Sequence, residues 1–333
     1  MTTLLCGASP SHAEDTNSGR VEFHITVDAP AKATSVRLWA PYPQSDEYQD
    51  IGQVKVEGNF TVKQITTDKA SGSRALYLEW IGHQDGQRFV KMEFDATSRE
   101  RMAPLNQAPA ATEPTIPPEV MEHTRATPLL PVDGEIGAVA KAAVIGKETV
   151  AEKHEAIYNW VVQNTFRDPD VQGCGVGAVE VTLARRGGKC VDISTVYVAL
   201  ARAAGVPARE VFGLRLGKGK GANDITGGHH CWAEYYQPGA GWTQTDPADV
   251  RKAMLGKMLN LEQEAKVREY YRSAVGPNRI VLSKTGRGIM LNPPQNGDLL
   301  NYFMYPYAEI DGAPVEWLAA QKELKYKITF IKE

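Results

Sequence analysis

The stretch from Gly187 to Asp246 constrains the fold more than any other part of the chain, because three reactive side chains in it each fall on a regular element. Cys190 begins an apolar segment, His230 lies in an alternating segment, and Asp246 ends the next one. A thiol, an imidazole and a carboxylate that converge in space can act as a nucleophile, a base and the group that orients the base. The order of these residues therefore predicts a thiol-dependent catalytic site.

Cys190 is predicted to lie at the N-terminus of a helix. Apolar residues recur behind it at three- and four-residue steps, and Gly205 and Pro207 end the pattern. Free backbone amides and the positive end of the helix dipole stabilise a thiolate at that position, and the thiolate is the reactive form of cysteine. Two glycines before Lys189 allow a sharp turn and leave space beside the sulfur.

His230 and Asp246 are predicted to share one face of a β-hairpin. The hairpin combines alternation over residues 230–236, a turn at residues 237–241 and a return strand that ends at Asp246. The two side chains have the same parity about the turn, which predicts a Cβ separation of ~5–8 Å. A carboxylate there fixes the imidazole tautomer and leaves the other ring nitrogen for the thiol. His229 has the opposite parity and is expected to face away.

Three motifs together resemble the core of the bacterial transglutaminase-like superfamily, over roughly residues 150–250, the span of one domain. In order, they are Gly-Gly-Lys-Cys190-Val-Asp192, His230-x-Trp232-x-Glu234 and Gly241-Trp242-x-x-x-Asp246-Pro247. The resemblance implies a papain-like fold with Cys190 as nucleophile, His230 as base and Asp246 as orienting group. It also implies acyl transfer through a thioester. The family includes protein crosslinkers, peptidases and amidases, among them deglycating-type amidases, so the resemblance specifies the chemistry better than the substrate.

Catalysis also requires hydrogen-bond donors for the oxyanion of the tetrahedral intermediate. The backbone amide of Cys190, at the start of its helix, is one expected donor. The second is expected to be a side chain upstream of the nucleophile, for which Gln172 is the first choice and Asn164 and Trp160 are alternatives.

The remaining cysteines leave two alternatives open. Without Cys6, which lies in the leader, the chain has Cys174, Cys190 and Cys231, and an odd count leaves at least one free thiol. Cys174 and Cys231 could form a disulfide, because Cys231 is expected to point to the face opposite His230. The alternative is that both are buried free thiols.

No metal and no cofactor is expected. His229 and His230 are adjacent strand residues that face opposite ways, which disfavours a shared zinc ion. No acidic stretch has the ligand spacing of a calcium loop. Residues 173–177 lack the preceding strand and the third glycine of a dinucleotide site. Residues 217–221 lack the Lys-Ser/Thr ending of a phosphate loop. The longer segment 217–228 is predicted to be a mobile loop that forms a rim or lid of the cleft.

Composition and patterning predict an α+β chain with more than one core, since it has 333 residues and 42% apolar content. Period-two alternation predicts an N-terminal all-β sandwich, and seven of the twenty prolines mark a linker behind it. The predicted division is a leader at 1–19, the sandwich at 20–102, the Pro-rich linker at 103–132, the catalytic core of helices packed on an antiparallel sheet at 133–275, and a C-terminal β segment at 276–333 that completes or flanks the core.

The leader predicts export to the periplasm or secretion. Its apolar run is too short for a complete signal peptide and no basic region precedes it, but Ser11-His12-Ala13 fits a cleavage site. The recorded start is therefore expected to lie inside a longer precursor. A lipid anchor at Cys6 is a rival that Thr3-Leu4-Leu5 disfavours. No other apolar run approaches the ~20 residues of a membrane span.

Two functional hypotheses follow. The first is an exported thiol acyl-transfer enzyme acting on peptide or carboxamide bonds. Hydrolysis is favoured over crosslinking, because an exported enzyme works in excess water and no lysine-binding feature is evident. Its partner is expected to be a protein or peptide, with a cell-wall peptide as one candidate. A net charge of −3 implies no nucleic-acid partner. The alternative is a non-catalytic binding or scaffold protein that uses the fold as a docking module.

Overall fold

The computed structural model describes residues 16–103, 114–284, 286–318 and 322–333. These residues form a β-sandwich and a second unit in which helices pack on an antiparallel sheet. The helices are α1 (Pro118–Met121), α2 (Gly134–Ala143), α3 (Val150–Asn164), α4 (Val179–Arg185), α5 (Cys190–Ala203), α6 (Pro247–Lys257) and α7 (Ala265–Ser273), with a 3-10 turn at Glu122–Thr124.

Short strands alternate with longer ones along the chain. In order they are β1 (Thr16–Val27), β2 (Ser35–Tyr42), β3 (Gln49–Ile51), β4 (Lys55–Gly58), β5 (Val62–Thr67), β6 (Arg74–Ile81), β7 (Arg88–Arg99), β8 (Arg101–Met102), β9 (Phe166–Arg167), β10 (Gly187–Gly188), β11 (Ala208–Arg215), β12 (Gly221–Asp224), β13 (His229–Gln237), β14 (Gly241–Thr245), β15 (Ala274–Val275), β16 (Arg279–Ser283), β17 (Tyr307–Ile310), β18 (Ala313–Pro314) and β19 (Leu324–Lys332).

Two five-strand paths form the sandwich. One sheet has the order β12-β19-β1-β7-β3, with β4 also paired to β7, and the other has the order β18-β17-β2-β6-β5. Alternate residues of the central strands are buried, such as Phe23 in β1, Leu38 in β2 and Phe94 in β7. The predicted period-two pattern therefore marks the faces that the two sheets bury against each other.

The sandwich is not confined to residues 20–102 as the sequence pattern suggests. Strand β19 pairs with β1, and β17 pairs with β2, so much of the C-terminal segment belongs to the sandwich. Among the described strands of that segment, β16 alone joins the core sheet, beside β11. The predicted mobile loop at 217–228 also differs, because β12 lies within it and pairs with β19. Local alternation cannot reveal such long-range pairings.

The leader and the linker are described only in part. Residues 1–15 of the predicted leader and 104–113 of the predicted linker lie outside the described residues. The rest of the linker includes helix α1 and the 3-10 turn rather than a wholly extended chain. The Arg202 guanidinium fixes it to α5 by donating to the Arg125 carbonyl at 2.9 Å.

In the part of the chain that the structure describes, none of the helices combines the length and the apolar character needed to cross a membrane.

Helix α5 is the centre of the second unit. It packs against the sheet of order β14-β13-β11-β16 on one side and against α2, α3, α4 and α6 on the others. Every residue from Cys190 to Arg202 is buried, whereas the sequence pattern predicts a single apolar face. Buried polar side chains need hydrogen-bond partners, and the Thr195 hydroxyl, for example, donates to a Glu210 carboxylate oxygen at 2.5 Å.

A buried ion pair between Arg287 and Glu210 fixes this packing. The Arg287 guanidinium donates to the two Glu210 carboxylate oxygens at 2.8 and 2.7 Å and to the Val176 carbonyl at 2.8 Å. Both side chains are almost fully buried. The pair thus joins the C-terminal segment to β11, and to the loop that precedes α4.

Replacing Glu210 with alanine is expected to lower the free energy of unfolding by about 3–5 kcal/mol, because it leaves a buried guanidinium without its anion. Urea unfolding followed by circular dichroism measures this change. Asp95→Ala is the matched control, since Asp95 pairs with Arg20 at the surface and its loss should change stability little. Equal stability of the two variants would contradict a structural role for the buried pair.

Candidate active site

Cys190 is the first residue of α5, and its thiol is nearly closed from solvent, with 2% of the residue exposed. The turn before it is shaped by Asp192, whose carboxylate accepts the backbone N–H groups of Lys189 at 2.9 Å and Gly177 at 2.7 Å. Gly175 has a φ of +93°, and a Cβ there would collide with the Asp192 carboxylate. The loop Gly173–Gly177, called here the Cys174 loop, is thus fixed against the helix start.

His230 and Asp246 meet within one diagonal step across the β13–β14 hairpin, as the parity argument predicts. The ladder pairs Ala233 with Thr245, and Asp246 follows directly. The distance from His230 Nε2 to Asp246 Oδ2 is 2.8 Å, and both side chains are buried. Asp246 also caps α6, because its Oδ1 accepts the N–H of Asp249 at 2.9 Å. The carboxylate is therefore held in one orientation.

The imidazole of His230 also acts on the nucleophile. It lies close enough to the Cys190 thiol to lower the pKa of that thiol. Because Asp246 occupies Nε2, the nitrogen left for the thiol is Nδ1. The structure thus brings together the three residues that the sequence singles out. The ring of the neighbouring His229 packs against Tyr305, with the two ring centroids 4.4 Å apart.

A second thiol, Cys174, lies beside the first. The Cys174 carbonyl accepts the N–H of Val191 at 2.9 Å and lies 4.0 Å from the Cys190 sulfur. The Cys174 thiol and then the His230 imidazole hold the pKa of Cys190 well below its ordinary value, against the effect of burial. The contact with Cys190, together with burial, raises the pKa of Cys174 well above its ordinary value. These opposite shifts favour ionisation of Cys190 over ionisation of Cys174.

Of the two alternatives left open for Cys174 and Cys231, the structure shows free thiols and no disulfide between them. Cys174, Cys190 and Cys231 are all buried free thiols. The Cys174 loop holds its cysteine at the nucleophile, where the Cys174 sulfur donates to the His229 carbonyl at 3.2 Å. This placement follows from backbone anchoring that spacing alone does not show.

The second oxyanion donor stays a prediction. The Gln172 side chain is exposed, and the Gln172 backbone carbonyl accepts the N–H of Gly175 at 3.0 Å. Asn164 is also exposed, and its amide donates to the Trp160 carbonyl at 2.8 Å. These contacts join none of the three candidates to Cys190. The Cys190 backbone amide is at the helix N-terminus, where such a donor is expected.

Two charged residues beside the triad have no signal in the sequence. Asp249 lies one helical turn after Asp246, with its carboxylate 3.8 Å from His230 Nε2. The Arg279 guanidinium contacts Asp246 Oδ2 at 2.8 Å and Asp249 Oδ2 at 3.0 Å. Arg279 reaches the site because β16 pairs with β11, which no local motif indicates.

His230, Asp246 and Asp249 offer donor atoms within 4.8 Å of one another, a spacing that a metal ion could bridge. Arg279 binds both carboxylates, and Arg215 Nη1 binds Asp249 at 2.9 Å. Two guanidinium groups thus already occupy the place where a cation would be needed. The donor set fits an ion-pair cluster better than a metal centre.

A cysteine at a helix N-terminus, beside a histidine–carboxylate pair on an antiparallel sheet, is the arrangement of papain-like thiol enzymes. That is the class of protein that the fold and the site define.

Comparison with known proteins identifies the family within this class. Residues 137–247 match the family model of the transglutaminase-like superfamily. An uncharacterized protein of Haemophilus influenzae is 35% identical over 346 residues, which cover 94% of this chain and 91% of that protein. The chain belongs to the transglutaminase-like superfamily, which confirms the resemblance carried by the three motifs.

One solved structure shows the same fold over nearly the whole chain. A candidate cysteine protease from Cytophaga hutchinsonii aligns over 95% of this chain and 99% of its own, with a TM-score of 0.54 and 13% identity. The periplasmic domain of TgpA from Pseudomonas aeruginosa aligns over 72% of this chain and 91% of its own, with a TM-score of 0.38 and 16% identity. The predicted α+β class with a transglutaminase-like core is confirmed.

Replacing Cys174 with alanine is expected to raise the pKa of Cys190, because the thiolate loses the neighbouring S–H group that stabilises it. The rate of Cys190 alkylation by iodoacetamide should then rise at higher pH than in the wild type. Peptide mass spectrometry across a pH series measures this rate at Cys190 alone. Cys231→Ala is the matched control, since Cys231 is equally buried and should leave the profile in place. An unchanged profile in Cys174→Ala would show that the second thiol has no such effect.

Proposed function

We propose that this protein is a thiol acyl-transfer enzyme that hydrolyses peptide or carboxamide bonds. The observation that carries the proposal is the His230–Asp246 hydrogen bond of 2.8 Å next to a thiol at a helix N-terminus. The N-terminus of a helix stabilises a thiolate. A histidine whose tautomer is fixed can exchange a proton with sulfur through one ring nitrogen while a carboxylate binds the other nitrogen. Membership in the transglutaminase-like superfamily supports thiol chemistry at the level of the family.

The reaction follows from the positions of these groups. The Cys190 sulfur attacks the substrate carbonyl carbon, and the proton from the thiol resides on His230. As the carbon–nitrogen bond breaks, His230 delivers that proton to the leaving amine, and the acyl group remains on sulfur as a thioester. His230 then takes a proton from water, whose oxygen attacks the thioester and releases the acid with the thiol restored. Asp246 holds the imidazole in place throughout.

Substrate access requires the neighbours of Cys190 to move. Cys190 and His230 each have only 2% of their surface exposed. Leu318 and the Tyr305 hydroxyl pack against Gly173, and the ring of Trp317 lies 5.8 Å from that of Tyr305. We infer that the substrate displaces these aromatic and apolar side chains from the Cys174 loop. Their replacement by substrate would keep bulk water away from Cys190 and His230.

We further propose that the enzyme works outside the cytoplasm on protein or peptide substrates, with cell-wall peptides as candidates. Small residues at Ser11-His12-Ala13 support export. Hydrolysis is favoured over crosslinking because water is in excess there.

A docking function without catalysis is the second candidate. One observation favours it: the nucleophile is closed to solvent, and a closed site suits a protein that binds through its outer surface. A Cys190 thiol that titrates near the ordinary cysteine pKa of ~8.5 would support docking. A depressed pKa would support the enzyme.

Cys190→Ala is expected to abolish hydrolysis of the responsive substrate, because the sulfur forms the covalent intermediate. The purified protein is first screened against glutamine-containing peptides, cell-wall peptides and amine acceptors, with amine or acid release measured. The loss should be at least about 1,000-fold, as for other nucleophile removals. Circular dichroism should show an unchanged fold. Cys231→Ala is the control and should retain activity. Equal turnover by Cys190→Ala and the wild type would refute the proposal.

A further inference from the structure

The carboxylate that orients His230 belongs to a cluster of four charges, three of them buried and the fourth, on Arg215, half-buried. Asp246 and Asp249 supply two negative charges, and Arg279 and Arg215 supply two positive ones. Arg215 and Arg279 are register partners on β11 and β16, so the two guanidinium groups start from neighbouring positions of the sheet. The cluster is therefore electrically balanced before His230 gains a proton.

Asp246 is bound from three directions. Its Oδ2 receives both His230 Nε2 and Arg279 Nη1, each at 2.8 Å, and its Oδ1 receives the Asp249 N–H at 2.9 Å. A carboxylate with three donors on two oxygens has little freedom to rotate. Arg279 thus fixes the same oxygen atom that holds the imidazole.

Arg279 also separates two carboxylates that compete for one imidazole. Asp249 Oδ1 lies 3.8 Å from His230 Nε2, which is close enough to attract the ring away from Asp246. The guanidinium bridges the two acids, Nη1 to Asp246 and Nη2 to Asp249 at 3.0 Å. A planar guanidinium sets the spacing of two partners, whereas a lysine ammonium is a point charge without that geometry.

The guanidinium is itself held in place. Arg279 is 4% exposed, and its Cζ lies 5.3 Å from the centre of the Trp232 ring. The Arg279 carbonyl accepts the Ser98 hydroxyl of β7 at 2.6 Å, so the sandwich helps to fix this residue. Other charged or titratable groups act electrostatically on members of the cluster, namely Cys190 on α5, Tyr158 on α3, Lys252 on α6, Tyr271 on α7 and Arg101 on β8.

We propose that Arg279 is a positioning residue for catalysis: it holds Asp246 against His230 and cancels the excess negative charge of Asp249. This rests on the proposed thiol acyl-transfer function and deepens it. Arg279 contacts no reacting atom and acts through Asp246. Burial raises the pKa of Asp249, but His230, Arg215 and Arg279 outweigh burial and hold that pKa well below its usual range.

Arg279→Met is expected to lower the rate by about 10- to 100-fold, because Asp246 and His230 lose their fixed orientation. It should also move the alkaline limb of the pH–rate profile about one unit upward, since an uncancelled carboxylate retains the proton of the site. The measurement is the rate of p-nitrophenol release from p-nitrophenyl acetate across pH, with the release by Cys190→Ala subtracted. Arg279→Lys keeps the positive charge but loses the planar guanidinium that bridges the two carboxylates. Its rate should therefore fall, while the alkaline limb stays near the wild-type position.

Two further variants separate charge from folding. Arg279→Met combined with Asp249→Asn restores the charge balance, so its alkaline limb should return toward that of the wild type. If Arg279→Met alone does not fold, the pH–rate profile of this double variant is measured in its place. Arg37→Met is the control for loss of an arginine elsewhere. It removes the guanidinium that lies 2.9 Å from the buried Glu309 carboxylate in the sandwich, and it should lower stability without moving the pH–rate profile.

The outcomes distinguish the two proposals. If the wild type shows no Cys190-dependent release, the proposed function is overturned, and the role of Arg279 with it. If the wild type is active but folded Arg279→Met keeps both its rate and its alkaline limb, only the positioning role is overturned. A lower rate with an unmoved limb, matched by Arg37→Met, would likewise show that Arg279 is merely structural.

Discussion

Ionising a buried thiol beside an imidazole is costly, and much of the core is arranged to offset that cost. Charges removed from water need partners of opposite sign or hydrogen-bond donors. The start of α5, the Cys174 thiol and His230 surround Cys190. His230 is hydrogen-bonded to Asp246, and Asp246 in turn accepts a hydrogen bond from Arg279. The site is thus one end of a chain of buried contacts that runs from the helix terminus to the far strand of the sheet.

The same chain of contacts explains why the sandwich and the core are interlocked. Strand β16 carries Arg279 into the core sheet, while Ser98 of the sandwich binds its carbonyl at 2.6 Å. Gln49 of β3 further accepts the N–H of Val281 at 2.7 Å. Strands β17 and β19 then return to the sandwich. A separate N-terminal domain could change its orientation relative to the core. In this topology the sandwich instead helps to fix the position of Arg279 at the active site.

Sequence reasoning found the parts of the site that depend on local periodicity. The helix behind Cys190 and the hairpin that unites His230 with Asp246 follow from steps of three to four and of two residues. Arg279 and Asp249 were missed, because their positions depend on strand β16 crossing back to β11 and on the cap of α6. The place of Cys174 beside the nucleophile was missed as well, since it depends on glycines at positive φ and on Asp192.

The most direct test is to trap the intermediate. Wild-type protein reacted with p-nitrophenyl acetate, quenched in acid and digested is examined by peptide mass spectrometry. We expect an acetyl group on the Cys190 peptide at short times, its loss at longer times, and far slower labelling in His230→Ala. Acetylation that avoids Cys190, or that reaches it equally fast without the imidazole, would contradict a catalytic unit of thiol, imidazole and carboxylate.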